Sequence, residues 1–122
     1  SAFQDAGILA RKGDDQAAVA AYDRIADDSG VDDLYRDLAR LLAATVLINT
    51  AGGEPELAAR LEPLTNDLNP WRFSARELLA VVAERGGDKA KSRGLFKSLS
   101  EDATAPQNIR QRAGKMLAAL DG

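Results

Sequence analysis

The sequence predicts an all-α fold, about three helical hairpins stacked side by side with one further helix capping the C-terminal end. Three observations carry this. The 122 residues include 23 Ala and 16 Leu but only 5 Val and 4 Ile, and the first pair favours helix while β-branched residues favour strands. Apolar residues recur at helical spacing in seven segments separated by short breakers. The breakers themselves recur, as Gly13-Asp14, Gly53-Glu54 and Gly87-Asp88. The length suits a single domain over 1–122. Alanine adds little buried area, so its abundance points to helices in close contact.

The first helix is expected over about Ala2–Lys12, with Phe3, Ala6, Leu9 and Ala10 on one face. Gly13 suits the position after a helix, and Asp14 or Asp15 the cap of the next. The second runs to about Asp27 through Ala18, Ala21, Tyr22 and Ile25. The third, about Asp32–Thr50, carries a stripe of Leu34, Leu38, Leu41, Leu42, Thr45 and Ile48. Ala39, Ala43, Val46 and Leu47 widen that stripe, which predicts burial on more than one side. Gly52-Gly53 stops it, and Pro55 suits the start of a fourth helix. Leu57, Leu61, Leu64 and Leu68 form the apolar face and exit of helix four, which Pro63 ends or kinks near Glu62.

In "NPWRFSARELL" (69–79), Asn69 is a good cap and Pro70 a good first helical residue. Ser74-x-x-Glu77 is a second start signal, so either a tight turn precedes helix five or Ser74 is internal. Trp71, Ala75, Leu78 and Val82 share a face, which predicts a helix start sealed by Trp71 against Leu64 or Leu68. The competing reading is an exposed Trp71 beside Arg72 and Arg76, open to a peptide or carboxylate. Helix five stops at "RGGD" (85–88). Helix six, about Lys89–Ser100, is expected to bury Leu95, Phe96 and Leu99, and helix seven, opened by Pro106, to bury Ile109, Ala113, Met116, Leu117 and Leu120. Short connections pair one with two, three with four and five with six.

Several function classes are excluded or disfavoured. With no cysteine or histidine, disulfides, thiolate metal sites and His-dependent nucleophilic systems cannot form. The acid pairs Asp14-Asp15, Asp27-Asp28 and Asp32-Asp33 sit at helix ends, do not converge, and lack the ligand spacing of a calcium loop. "GGD" and "GGEP" lack the strand and Lys-Ser/Thr of a phosphate loop. The expectation is a non-enzymatic chain with no metal or cofactor. Residues 1–83 hold 8 Lys/Arg against 14 Asp/Glu, and residues 84–122 hold 8 against 5. The basic end has Phe96 as its one aromatic, unlike a nucleic-acid surface. The longest apolar run, "LLAATVLI" (41–48), is too short to cross a bilayer. The chain opens directly on helical pattern, which reads as a segment of a longer protein.

The breakers define an internal repeat. Five residues after each glycine comes Ala18, Ala58 or Ser92; nine after comes Tyr22, Glu62 or Phe96; twelve after comes Ile25, Thr65 or Leu99. The outer copies carry an aromatic and then an aliphatic. The middle copy departs at both positions, and Gly52 leaves its register open by one. This pattern resembles tetratricopeptide repeats. The resemblance implies a right-handed stack in which Gly13, Gly53 and Gly87 turn the chain. It also implies a concave groove lined by the first helix of each pair, with Arg40, Leu47, Glu77, Val81 and Glu84 as candidate contacts for a peptide. "DDLYRDLARLLAA" and the stretch from "NPWRFSARELL" to "NIRQRAGKML" resemble, more closely, a bacterial tetratricopeptide-repeat-like envelope family that includes the ancillary subunit of the Sec translocon. That implies a membrane-anchored protein on the periplasmic side of the inner membrane. Its partners would be envelope or translocon proteins rather than nucleic acid, and this segment itself would not contact the membrane. The alternative is a scaffold that self-associates through its N-terminal helix, using Phe3, Ala6 and Leu9.

Overall fold

Two short sequences, Lys12–Asp14 and Gly86–Asp88, show how this chain turns. Each ends one helix and starts the next with the same set of bonds. Gly13 and Gly87 sit at φ 82° and 86°, a region that favours glycine because it has no Cβ. Their N–H groups donate to Ala10 and Glu84, and the following aspartate N–H groups donate to Leu9 and Ala83. These bonds satisfy carbonyls left over at the helix end. The Asp14 and Asp88 side chains then accept from the N–H of Ala17 and Lys91, capping the next helix.

The computed structural model describes residues 1–50 and 52–122, and among these every regular element is helical. The chain divides into two compact units, Ser1–Gly52 and Gly53–Gly122. The N-terminal unit holds α1 (Ala2–Arg11), α2 (Asp15–Ala26) and α3 (Asp33–Leu47). Ser1 and Gln4 form a reciprocal capping box at the start of α1. The core joins Ala6, Ala18, Ala21, Tyr22, Ile25, Ala26, Ala39, Ala43 and Val46. Six of these nine are alanines, the composition expected of helices that approach closely. Phe3 leans on the Tyr22 ring at 6.3 Å between centroids.

The C-terminal unit holds α4 (Glu54–Leu61), a 3₁₀ turn (Glu62–Leu64), α5 (Arg72–Arg85), α6 (Lys89–Glu101) and α7 (Gln107–Asp121). Consecutive helices pack on one another, and α5 also reaches α7. Pro63 ends α4 as the sequence predicts, leaving one tighter turn. Ala80, Phe96, Leu99, Ile109 and Ala113 form one core, edged by Phe73, Val81, Leu95, Leu117 and Leu120.

Several expectations are corrected. Alanines, rather than leucines, form the inner face of α3: Ala39, Ala43 and Val46 pack into the core while Leu34 is 43% exposed. A small residue lets the backbone come close, and the longer side chains move to the edge. Leu41 and Ala44 are buried as well. Leu68 is 93% exposed, because it lies in the turn after α4 rather than on its apolar face. Met116 is 39% exposed, one turn beyond Ala113 on the rim of α7. The division into units falls between α3 and α4, the two helices that the sequence pairs.

The middle repeat copy also changes register. Counted from Gly53, its positions fall on Ala58, Glu62 and Thr65, of which none is buried. Counted from Gly52, at φ 81°, they fall on Leu57, Leu61 and Leu64, all buried. The other two copies bury Ala18, Tyr22 and Ile25, and Ser92, Phe96 and Leu99, at the same offsets. Gly53 is instead the N-cap of α4, at φ 70°. All three copies therefore follow one burial pattern, with Leu61 in the middle copy where the outer ones have Tyr22 and Phe96.

Candidate functional site

The five groove candidates fall on both units. Arg40 on α3 is engaged: its guanidinium donates to Asp37 at 2.8 Å and to the Ala26 carbonyl at 3.2 Å. Arg36 reaches the same carbonyl at 2.8 Å, so the pair together cap the C-terminal end of α2, where the helix dipole favours cations. Leu47 is half-buried at the end of α3, and its carbonyl accepts from Thr50. Val81 edges the core of the C-terminal unit. Glu77 is held in a two-bond ion pair by Arg112 at 2.8 and 2.9 Å. That bond and the Glu77 charge push the Arg112 guanidinium above its already high value. Glu84 alone of the five is exposed.

The stretch around Trp71 resolves as a tight turn followed by a helix. Asn69 accepts from the Trp71 N–H at 2.8 Å through its side chain, and from the Arg72 N–H at 3.2 Å through its carbonyl. The helix begins at Arg72, two residues later than Pro70, and Ser74 is internal. Trp71 is half-buried, and the seal against Leu68 is ruled out by the exposure of Leu68. The two arginines are not an open carboxylate site. Arg72 donates to the Asn69 carbonyl and lies 4.3 Å from the centre of the Phe73 ring. Arg76 donates to the Thr65 carbonyl and to Asp67, both at 2.9 Å. They fasten the 65–69 turn to α5. Asp102 lies close enough to feel both, and its carboxyl is held below the usual range chiefly by hydrogen bonds from Thr104, with the two arginines adding.

The feature that the sequence did not single out is a cleft of about 520 Å³ on the N-terminal unit. Its apolar walls are Phe3 and Ala2 from α1, Ala21 and Ile25 from α2, Val31 from the α2–α3 turn, and Tyr35 from α3. Asp5, Arg24 and Asp28 complete the lining. The turn is fixed: Asp28 accepts from the Gly30 N–H at 2.9 Å through its side chain and from the Val31 N–H at 3.0 Å through its carbonyl. Tyr35 meets Phe3 edge-on, with centroids 6.5 Å apart, yet remains 49% exposed. One signal was readable beforehand. Tyr35 lies off the Leu34–Leu38–Leu41 stripe, so an aromatic ring was left without a predicted core position.

Phe3, Ala6 and Leu9, the residues expected to self-associate, all pack on the core of their own unit. Ala6 is fully buried and Leu9 partly so, both against the unit's own core. A second cleft, about 500 Å³, lies in the C-terminal unit among Pro55, Ala58, Leu79 and Ala83, with Glu54, Asp88 and Lys91 at its edge. Among the described residues, no cluster of acidic side chains is placed to hold a metal ion, and no helix is long and apolar enough to cross a membrane. Comparison with protein-family models, with curated proteins and with solved structures found no match to this chain.

Proposed function

We propose that this chain is a protein-interaction domain of helical-repeat type, with no catalytic chemistry of its own. The observation that supports it best is the cleft of the N-terminal unit. It offers an apolar floor, a half-exposed tyrosine and a charged rim, which is the composition of a surface that receives a side chain from a partner. The repeated helix–Gly-Asp–helix register supports the finer reading of a tetratricopeptide-like, right-handed stack. The resemblance read from the sequence extends this to an envelope protein, anchored in the membrane, whose partners are envelope or translocon proteins. The groove residues Leu47, Val81 and Glu84 belong to that finer reading. Arg40 and Glu77 would act there through the bonds they already make. Self-association is the second reading, favoured by Ile8, Leu34 and Tyr35, three large apolar side chains exposed on one unit.

Site-specific photocrosslinking in cells tests the proposal. A photoreactive residue is placed in turn at positions 35, 47, 81 and 84. Discrete adducts with another protein, confined to a subset of these positions, are expected. Adducts from none of the four count against an interaction domain. Adducts only between copies of the chain favour the second reading.

A further inference from the structure

We propose that the cleft of the N-terminal unit receives a basic amphipathic segment of a partner protein. One aliphatic or aromatic side chain of that segment seats on Phe3, Ile25 and Tyr35, and its Lys or Arg residues face Asp5 and Asp28. This rests on the reading of the chain as an interaction domain, and it names the site and the chemistry of the occupant.

Shape and charge both select this occupant. The floor is apolar and aromatic, so it is suited to a hydrocarbon or ring. The rim is acidic. Asp5 and Asp28 line the cleft, and Asp27, Asp32 and Asp33 are exposed in the same short stretch of chain. The unit as a whole carries 9 Asp against 5 Lys/Arg. Of those five, Arg36 and Arg40 are bound to the end of α2 and to Asp33 and Asp37. An acidic frame around an apolar floor repels nucleic acid, phosphate and an anionic lipid surface, and attracts a cationic chain. Arg24, also on the lining, makes no ion pair among the described residues. It gives the occupant one acidic position, and with it a preferred direction.

The fixed 28–31 turn makes the site ready-made. With Asp28 already bonded to Gly30 and Val31, that wall needs no ordering when the segment arrives. A short amphipathic segment presents an apolar stripe and a basic face together, as helix-in-groove recognition requires.

The test uses fluorescence anisotropy with two labelled probes. One is an amphipathic peptide of leucine and lysine at helical spacing. The other has glutamate in place of each lysine. The lysine probe is expected to bind and the glutamate probe not to. Tyr35→Ala should weaken the lysine probe by about tenfold, the loss expected from removing one aromatic anchor. The double variant Asp5→Asn, Asp28→Asn should weaken it comparably; asparagine at 28 keeps an acceptor for the Gly30 N–H, and circular dichroism checks the fold. The double variant Glu56→Gln, Glu101→Gln removes as much charge from exposed positions that do not line the cleft and should leave affinity within about twofold, as expected of screened surface charges. Equal weakening by both charge variants, or no effect of Tyr35→Ala, overturns the proposal. So does a self-associating chain whose dimers vanish with Tyr35→Ala before any probe is added, because the cleft is then filled by a second copy. Failure here with crosslinks still forming at 47, 81 or 84 sinks the cleft assignment and leaves the interaction reading standing.

Discussion

Glu77 and Arg112 stand 35 residues apart in the chain and meet through two parallel bonds of 2.8 and 2.9 Å. The pair ties the middle of α5 to α7. It also means that a carboxylate which sequence reasoning offers to a peptide is already matched by a guanidinium in its own unit. Arg112 is 53% exposed and Glu77 20%, so the pair is partly screened by solvent.

Charge reversal at this pair should report on α7. Glu77→Lys sets two cations face to face and is expected to destabilise the protein by about 1 kcal/mol, in the range of a partly exposed, well-aligned ion pair. Arg112→Glu added to it should restore most of the loss. Chemical denaturation of the four members of the cycle measures the coupling. A double variant no better than Glu77→Lys alone would show that the pair contributes nothing.

Ser92 lies fully buried in α6, and its hydroxyl oxygen has no hydrogen-bond partner. The matching position in the first repeat copy is Ala18. Ser92→Ala is therefore expected to raise stability by about 1 kcal/mol, by removing an unsatisfied buried group. Two residues on, a methyl group at Gly94 would meet nothing within 4 Å. Gly94→Ala in the helix interior should add about 0.5–1 kcal/mol, whereas Gly87→Ala, at φ 86°, should destabilise. Thermal melts of the three variants check the signs, and a lower melting temperature for Ser92→Ala would mean that the hydroxyl has a partner after all.

Leu64 and Leu68 separate burial from sequence pattern. Both continue the same apolar series after α4, but Leu64 is 1% exposed and Leu68 93%. Leu64→Ala is expected to destabilise by about 2–5 kcal/mol. Leu68→Asp should stay within about 0.5 kcal/mol of the parent, as exposed substitutions do. Urea midpoints at constant slope decide between this arrangement and one in which Leu68 packs inside.

The lowered Asp102 carboxyl predicts a pH effect of known sign. Its shift comes first from the Thr104 hydroxyl, then from the Thr104 N–H, then from Arg76 and Arg72. A carboxyl held low in the folded chain contributes stability that is present above its unfolded value and is lost as the pH falls through the folded one. Thr104→Val removes the hydroxyl bond and keeps the N–H. The Asp102 titration, followed by carboxyl-carbon NMR, should then move upward toward the ordinary aspartate range, and the acid-side loss of stability from this group should become smaller and end at higher pH. An unchanged titration would assign the shift to the Thr104 N–H and the arginines instead.

Helix ends were the most legible part of the sequence. Gly13, Asp14, Gly87, Asp88 and Pro63 act through local geometry, and each stands where its own chemistry puts it. Facing was less legible. In α3 a leucine stripe and an alanine stripe overlap, and hydrophobicity ranks the leucines first while close packing places Ala39 and Ala43 inside. The register of the middle repeat copy stayed open by one because Gly52 and Gly53 are chemically equal, and only the burial of Leu57, Leu61 and Leu64 separates them. The cleft was hidden for another reason: Phe3, Ile25, Val31 and Tyr35 come from four separate segments, and no spacing along the chain unites them.

The shared bond set around Gly13 and Gly87 has a practical side. Two turns with the same donors, acceptors and backbone angles are spare parts for one another. The segment Leu9–Ala17 is therefore expected to substitute for Ala83–Lys91, or the reverse, with every turn and cap bond kept. The chain thus offers an engineer a standard connector, on which helices of other composition can be mounted.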